Sequence, residues 1–177
     1  LIKDYFDEIL IVSGNKIDFC EFKIVDFSIK NPFKIIKSIS QLKKIIENYS
    51  PTIIHAHQAN SFAYLVARAN VKKIPFVLTT WGSDVLTLPQ KGGLYKHIVK
   101  YSLSQADYIT ADAHFMADAI RKLEIKEEVI IANFGIDYDN IKIPEKENIV
   151  YSNRLHNDLY NIDKIITAFS KFYKVNP

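Results

Sequence analysis

The chain has 177 residues, enough for one domain with a substantial core or one domain plus the start of another. Hydrophobic residues make up 48% and charged residues 24%, which excludes wholesale disorder, and a net charge of +3 does not mark a dedicated nucleic-acid binder. No apolar run approaches the roughly 20 residues of a membrane span, and the single cysteine, Cys20, excludes an intrachain disulfide framework and fits a reducing cytoplasm.

In chain order, residues 8–12 and 22–27 read as strands, apolar and bounded by polar residues or Gly. Asn31-Pro32 then supplies an N-cap and a proline at the first helical position. Ile35, Ile39, Leu42, Ile46 and Tyr49 recur on one face of 33–49, so this is an amphipathic helix, and Pro51 stops it. The alternation repeats: strand 52–56, helix 60–71, strand 75–80, helix 93–105, strand 107–111, helix 114–123, strand 128–132. Near-continuous apolar strands separated by helices predict an α/β fold, a doubly wound parallel sheet covered on both faces. Residues 138–148 have no period and place Pro144 among charges, which reads as a linker. A strand at 149–152 and a helix at about 161–173 follow, a single β-α unit that opens a second domain or packs on the first.

In an open parallel sheet, function collects at the carboxyl ends of the strands. His55 and His57, two apart on a strand, share a face. They read either as a pair meeting one ligand or as a bonded core His55 with only His57 exposed. In Trp81-Gly82-Ser83-Asp84 the Gly-Ser pair offers close backbone approach and N–H donors for anionic oxygens, and Trp81 offers a flat plate for a sugar ring or base. The same run also reads as a turn in which Asp84 caps the next segment and Trp81 is core. Asn133-Phe134-Gly135-Ile136-Asp137 follows a strand; Gly135 predicts a positive φ, in a turn that Asp137 caps or that binds through Asp137. Arg154, after Ser152-Asn153, suits a diphosphate through its planar fork, with a surface salt bridge as the alternative. Lys91, Lys96 and Lys100 flank or lie on a helix interleaved with Tyr95, Ile98, Val99 and Tyr101, either an ordinary solvated face or one that rests on an anionic membrane.

The ordered set TIIHAHQ, PFVLTTWGSD, QADYITAD, VIIANFGID and IVYSNRL…IDKIITAF resembles glycosyltransferase family 4, over about residues 40–173. The resemblance implies a retaining sugar-nucleotide transferase of GT-B fold, with an active site between two Rossmann-like halves. On that likeness residues 1–137 are the acceptor-side domain lacking its first strand, 138–148 the interdomain linker, and 149–177 the truncated start of the nucleotide-sugar domain. His57, Trp81, Gly82, Ser83 and Asp84 would face the cleft, Asp112 would lie near it, Gly135 and Asp137 would shape the turn to the linker, and Arg154 would grip the donor diphosphate. The implied partners are a nucleotide-sugar donor and a glycan or lipid-linked acceptor. No metal or other cofactor is expected: positive charge and backbone N–H groups would steady the leaving diphosphate in an oxocarbenium-like transfer.

The sequence departs from the family pattern in three places. Trp81 stands where many relatives carry His before the Gly, Ala113 where a Ser is common, and Leu159-Tyr160-Asn161 where a Lys usually shares the diphosphate. Met116 is the one methionine and the chain opens at Leu1. The family's Gly-containing loop would precede Leu1 and its paired glutamates would follow Pro177, so the expectation is an inactive piece of a larger enzyme. The alternatives are a non-catalytic sugar- or nucleotide-binding module of the same fold and a nucleotide-sugar epimerase.

Overall fold

A computed structural model describes residues 5–18, 20–125, 128–135, 145, 147, 149–156, 158 and 160–175. The chain divides into two compact units, Leu1–Gly135 and Ile136–Pro177. In the first unit β1 (Ile11–Ser13) and β2 (Phe22–Ile24) pair in parallel as a two-stranded sheet. A second, four-stranded parallel sheet has β3 (Ile54–His57), β4 (Phe76–Thr79), β5 (Tyr108–Ala111) and β6 (Val129–Ile131) side by side in chain order.

The helices start and stop where their sequences signal. The Asn31 side chain accepts from the Phe33 amide at 2.9 Å to begin α1 (Pro32–Tyr49), and Ser50 in the left-handed region (φ 49°) ends it before Pro51. Asn60 does the same for α2 (Ser61–Ala69), accepting from Phe62 at 2.9 Å. The segment after β4 holds more structure than a polar turn: a single helical turn, α3 (Ser83–Leu86), then a 3₁₀ turn at Leu88–Lys91. α4 (Gly93–Ser104) and α5 (His114–Arg121) complete the unit.

The main core lies on one face of the four-stranded sheet. Phe76, Leu78, Ile109, Ala111 and Val129 meet Ala63 of α2, Val99 and Leu103 of α4, and Ala117 and Ile120 of α5. Alternate strand residues point the other way, and that face is the difference from expectation. His55, His57, Tyr108 and Ile130 are exposed there and Val77, Thr79 and Thr110 half-buried, so among the described residues the helices cover one face of this sheet. The cause is topological: strands laid down in chain order step one way across the sheet, and right-handed crossovers then put every connecting helix on the same side. A second apolar cluster joins Val25 and Phe27 to Leu42 and Ile46 of α1 and Leu65 and Ala69 of α2.

In the second unit α6 spans Ile162–Val175, while residues 149–152, read above as a strand, carry no strand pairing. A strand exists only against a partner, and no β-ladder is present among the described residues of that unit. Most of the 138–148 linker lies outside the described residues.

Replacing Phe76, 1% exposed, by Ala should cost ~3–5 kcal/mol in urea unfolding followed by circular dichroism. The same change at Phe33, 83% exposed on α1, should cost under ~0.5 kcal/mol.

Candidate functional site

The site forms where β3 and β4 end together. Their register pairs His57 with Thr79, and the Gln58 amide still bonds to the Thr79 carbonyl at 2.8 Å before Gln58 turns the chain at φ 73°. On the β4 side Thr80 is fully buried, its hydroxyl donating to the Thr110 carbonyl at 3.0 Å. The chain then passes Trp81 and turns at Gly82, whose φ of 99° is open to glycine and strained for other residues.

Asp84 fastens these two turns together. Its carboxylate is 3% exposed, and one oxygen accepts from the Ala59 amide at 2.6 Å while the other accepts from the Trp81 amide at 3.0 Å. Ala59 and Trp81 each lie two residues beyond the His57–Thr79 pair. One carboxylate therefore spans the ends of neighbouring strands and satisfies a backbone donor on each.

Above that tie sits a ring cluster. The Trp81 indole Nε1 donates to His57 Nδ1 at 3.2 Å, with the rings edge-on and 5.9 Å apart. The Phe134 ring lies 5.6 Å from Trp81, and the His55 ring 4.3 Å from His57. His55 Nε2 is 2.7 Å from the Thr79 hydroxyl, itself 2.7 Å from the Thr110 hydroxyl, a polar chain across three strands on the uncovered face. Trp81 remains 52% exposed and Phe134 59%, so both are contact surfaces and not core. Burial holds the His57 pKa below its ordinary value of 6.5, and burial followed by the nearby His57 charge does the same for His55. The cluster thus presents an aromatic plate, two neutral imidazoles and hydroxyls, the equipment for gripping a polyol ring.

A family model described as "Glycosyl transferase 4-like" matches residues 7–113. The chain belongs to the glycosyl transferase 4-like family. No curated protein matches it. The matched span carries β1 to β5 and every residue of the cluster except Phe134.

The other residues singled out from sequence fall around this glycosyl transferase 4-like core unevenly. Ser83 is exposed beside the buried Gly82 at the start of α3. Asp84 is a buried tie and not a helix cap. Asp112 is half-buried, its carbonyl accepting from the Asn133 side chain. Gly135 does not adopt the positive φ expected of it; in the loops after strands that conformation falls on Gly82 and Gln58. Beyond β6 the Ala132 amide still bonds to the Ala111 carbonyl at 2.8 Å, and the Asn133 side chain donates to the Asp112 carbonyl. Asp137 lies outside the described residues. Arg154, in the second unit, stacks its guanidinium 5.3 Å from the centre of the Tyr160 ring. Lys100 pairs with Glu124 at 2.6 Å.

Thr79, Thr110 and Phe134 stand within the runs quoted from the sequence but carry no role of their own there. The available signal was period-2 placement: Thr79 and Thr110 sit on the same face as His55, and Phe134 follows the last strand by three residues. An open hollow of about 330 Å³ lined by Leu86, Pro89, Phe115 and Leu123 lies apart from the cluster, in none of whose residues it is lined. No group of three or more His, Cys, Asp or Glu among the described residues is placed to hold a metal ion.

Asp84→Asn turns one acceptor into a donor facing a backbone N–H. It should cost ~2–3 kcal/mol by urea unfolding, with the Trp81 emission losing its separate environment before the circular dichroism changes. The depressed histidines also set a pH dependence. Their unfolded forms bind protons first as pH falls, so the stability they contribute is full above 6.5 and declines below it, toward their folded values. Unfolding midpoints measured from pH 7.5 to 5 should show this decline, and His55→Asn should flatten it.

Proposed function

We propose that the chain is the acceptor-side part of a retaining glycosyltransferase of hexosyltransferase type, moving a sugar from a nucleotide sugar to a surface-glycan or glycolipid acceptor. The observation that carries this reading is the half-exposed Trp81 plate, bonded to His57 and flanked by Phe134 at the strand ends of a glycosyl transferase 4-like chain. A sugar's apolar ring face rests on the indole and its hydroxyls meet the imidazole. Ser83 and the backbone at Gly82 line the same loop, and Asp112 closes the neighbouring strand end.

Donor binding belongs to the second unit in this reading. The guanidinium of Arg154, held by its face on Tyr160, keeps its edge donors for diphosphate oxygens. The transfer passes through an oxocarbenium-like state without a metal, the leaving diphosphate being steadied by positive charge and N–H groups. The enzyme works in the cytoplasm, and no helix among the described residues is long and apolar enough to cross a membrane. Lys91 and Lys96 contact anionic headgroups at the membrane surface, Lys100 being engaged by Glu124. Trp81 in place of His supports a second reading, a non-catalytic sugar-binding module of the same fold.

Equilibrium titration of the chain with glycans and nucleotide sugars tests the assignment. Expected are saturable glycan binding, lowered ~10-fold by Trp81→Ala, and no nucleotide release from any donor by the chain alone. Absence of glycan binding overturns the acceptor assignment, and nucleotide release by the chain alone overturns the division of labour. Lys96→Glu should weaken binding to anionic liposomes by at least ~3-fold at low salt; unchanged binding removes the membrane contact.

A further inference from the structure

The contact between Trp81 and His57 fixes where a proton sits. An indole N–H donates and has no lone pair with which to accept. Because Nε1 of Trp81 lies 3.2 Å from Nδ1 of His57, that nitrogen is the acceptor and carries no proton. A neutral imidazole has one N–H, which is therefore on Nε2. An imidazolium has N–H groups at both nitrogens and cannot accept, so the bond and a charge on His57 exclude each other.

The surroundings reinforce this state. The ring of His55 is 4.3 Å away, and two cations at that distance repel. Thr79, paired with His57 across the strands, is uncharged and its hydroxyl is engaged by His55 and Thr110. On α3, Asp84 spends one carboxylate oxygen on Ala59 and the other on Trp81, both through backbone amides, so it offers His57 no ion pair. Burial lowers the His57 pKa, and no carboxylate among the described residues opposes it.

We propose that Trp81 is a positioning residue that locks His57 in the Nε2–H tautomer, making His57 a neutral one-way hydrogen-bond donor to an oxygen acceptor of the ligand. Only the identity of that oxygen, a sugar hydroxyl or ring oxygen, rests on the glycosyltransferase reading. The consequence is selectivity. A ligand that places an ammonium group against Nε2 meets a donor with a donor and is refused, while the corresponding hydroxyl is accepted.

The test is proton–nitrogen NMR of the histidine rings and of the indole, which gives one signal because Trp81 is the only tryptophan. Above its titration His57 should show an unprotonated Nδ1 and a protonated Nε2. As pH falls, the indole N–H signal should shift with the same midpoint as His57, a result that needs no variant. Trp81→Phe keeps a ring and removes the N–H. It should give His57 a mixture of tautomers and raise its midpoint by about half a unit to one unit, the worth of one neutral hydrogen bond. An Nδ1–H tautomer in the unmodified chain, an indole signal that ignores the His57 titration, or an unchanged tautomer and midpoint in Trp81→Phe would each overturn the lock. Methyl hexopyranosides serve as ligand probes. They should perturb the indole and His57 signals above the midpoint. A confirmed tautomer with no response to any hexopyranoside overturns the sugar as ligand and spares the lock, so the two failures are distinguishable.

Discussion

The geometry of this protein's candidate site hangs on one buried carboxylate. Asp84 sits at 3% exposure and answers two backbone amides, Ala59 beyond β3 and Trp81 beyond β4. Burying a carboxylate is costly unless its oxygens are bonded, and here they are bonded only if both loops hold their places. The cost of burial thus becomes a constraint on position. His57 and the Trp81 indole come within 3.2 Å because the segments carrying them are tied below by the same side chain. Gly82 is the other half of the device, since its φ of 99° brings Asp84 back under Trp81 within three residues.

The sheet supplies a second constraint. Its helix-covered face is uniformly apolar, while the opposite face carries His55, Thr79 and Thr110 bonded in series and the exposed Tyr108 and Ile130. In a parallel sheet the strands are usually apolar on both sides, so polar side chains running across three strands are informative. A hydroxyl chain satisfied within the sheet stiffens the strand ends. It also fixes the His55 ring, whose stacking on His57 limits how that ring turns.

The alternation of strands and helices was legible because period and punctuation agreed. Asn31-Pro32, Asn60 and Pro51 mark boundaries that the backbone bonds bear out. α3 and the turn at Leu88–Lys91 were not legible, because four residues are too few to show a period. Spacing placed His55 and His57 on one face. It could not bring Trp81 to His57, a contact 24 residues apart that depends on register between strands. Gly135 misled because glycine permits a positive φ without demanding one, whereas Gly82 occupies the turn that needs it. Arg154 was read as a lone fork; its stacking on Tyr160 depends on local folding of a segment with no period.

The charge of the first unit's cluster narrows what it is suited to hold. Trp81 and Phe134 are neutral at every pH, His55 and His57 are biased to their neutral forms, and the Asp84 charge is turned inward onto two amides. None of these side chains offers the permanent cation that a diphosphate requires. The guanidinium of Arg154, a fixed positive charge stacked on Tyr160, belongs to the other unit and not to this cluster. An imidazole at position 81 could donate, accept or ionise, leaving the tautomer of His57 open. An indole can only donate. Trp81 therefore trades chemical versatility for a single defined pattern of hydrogen bonding, and that pattern follows from side-chain chemistry and one distance.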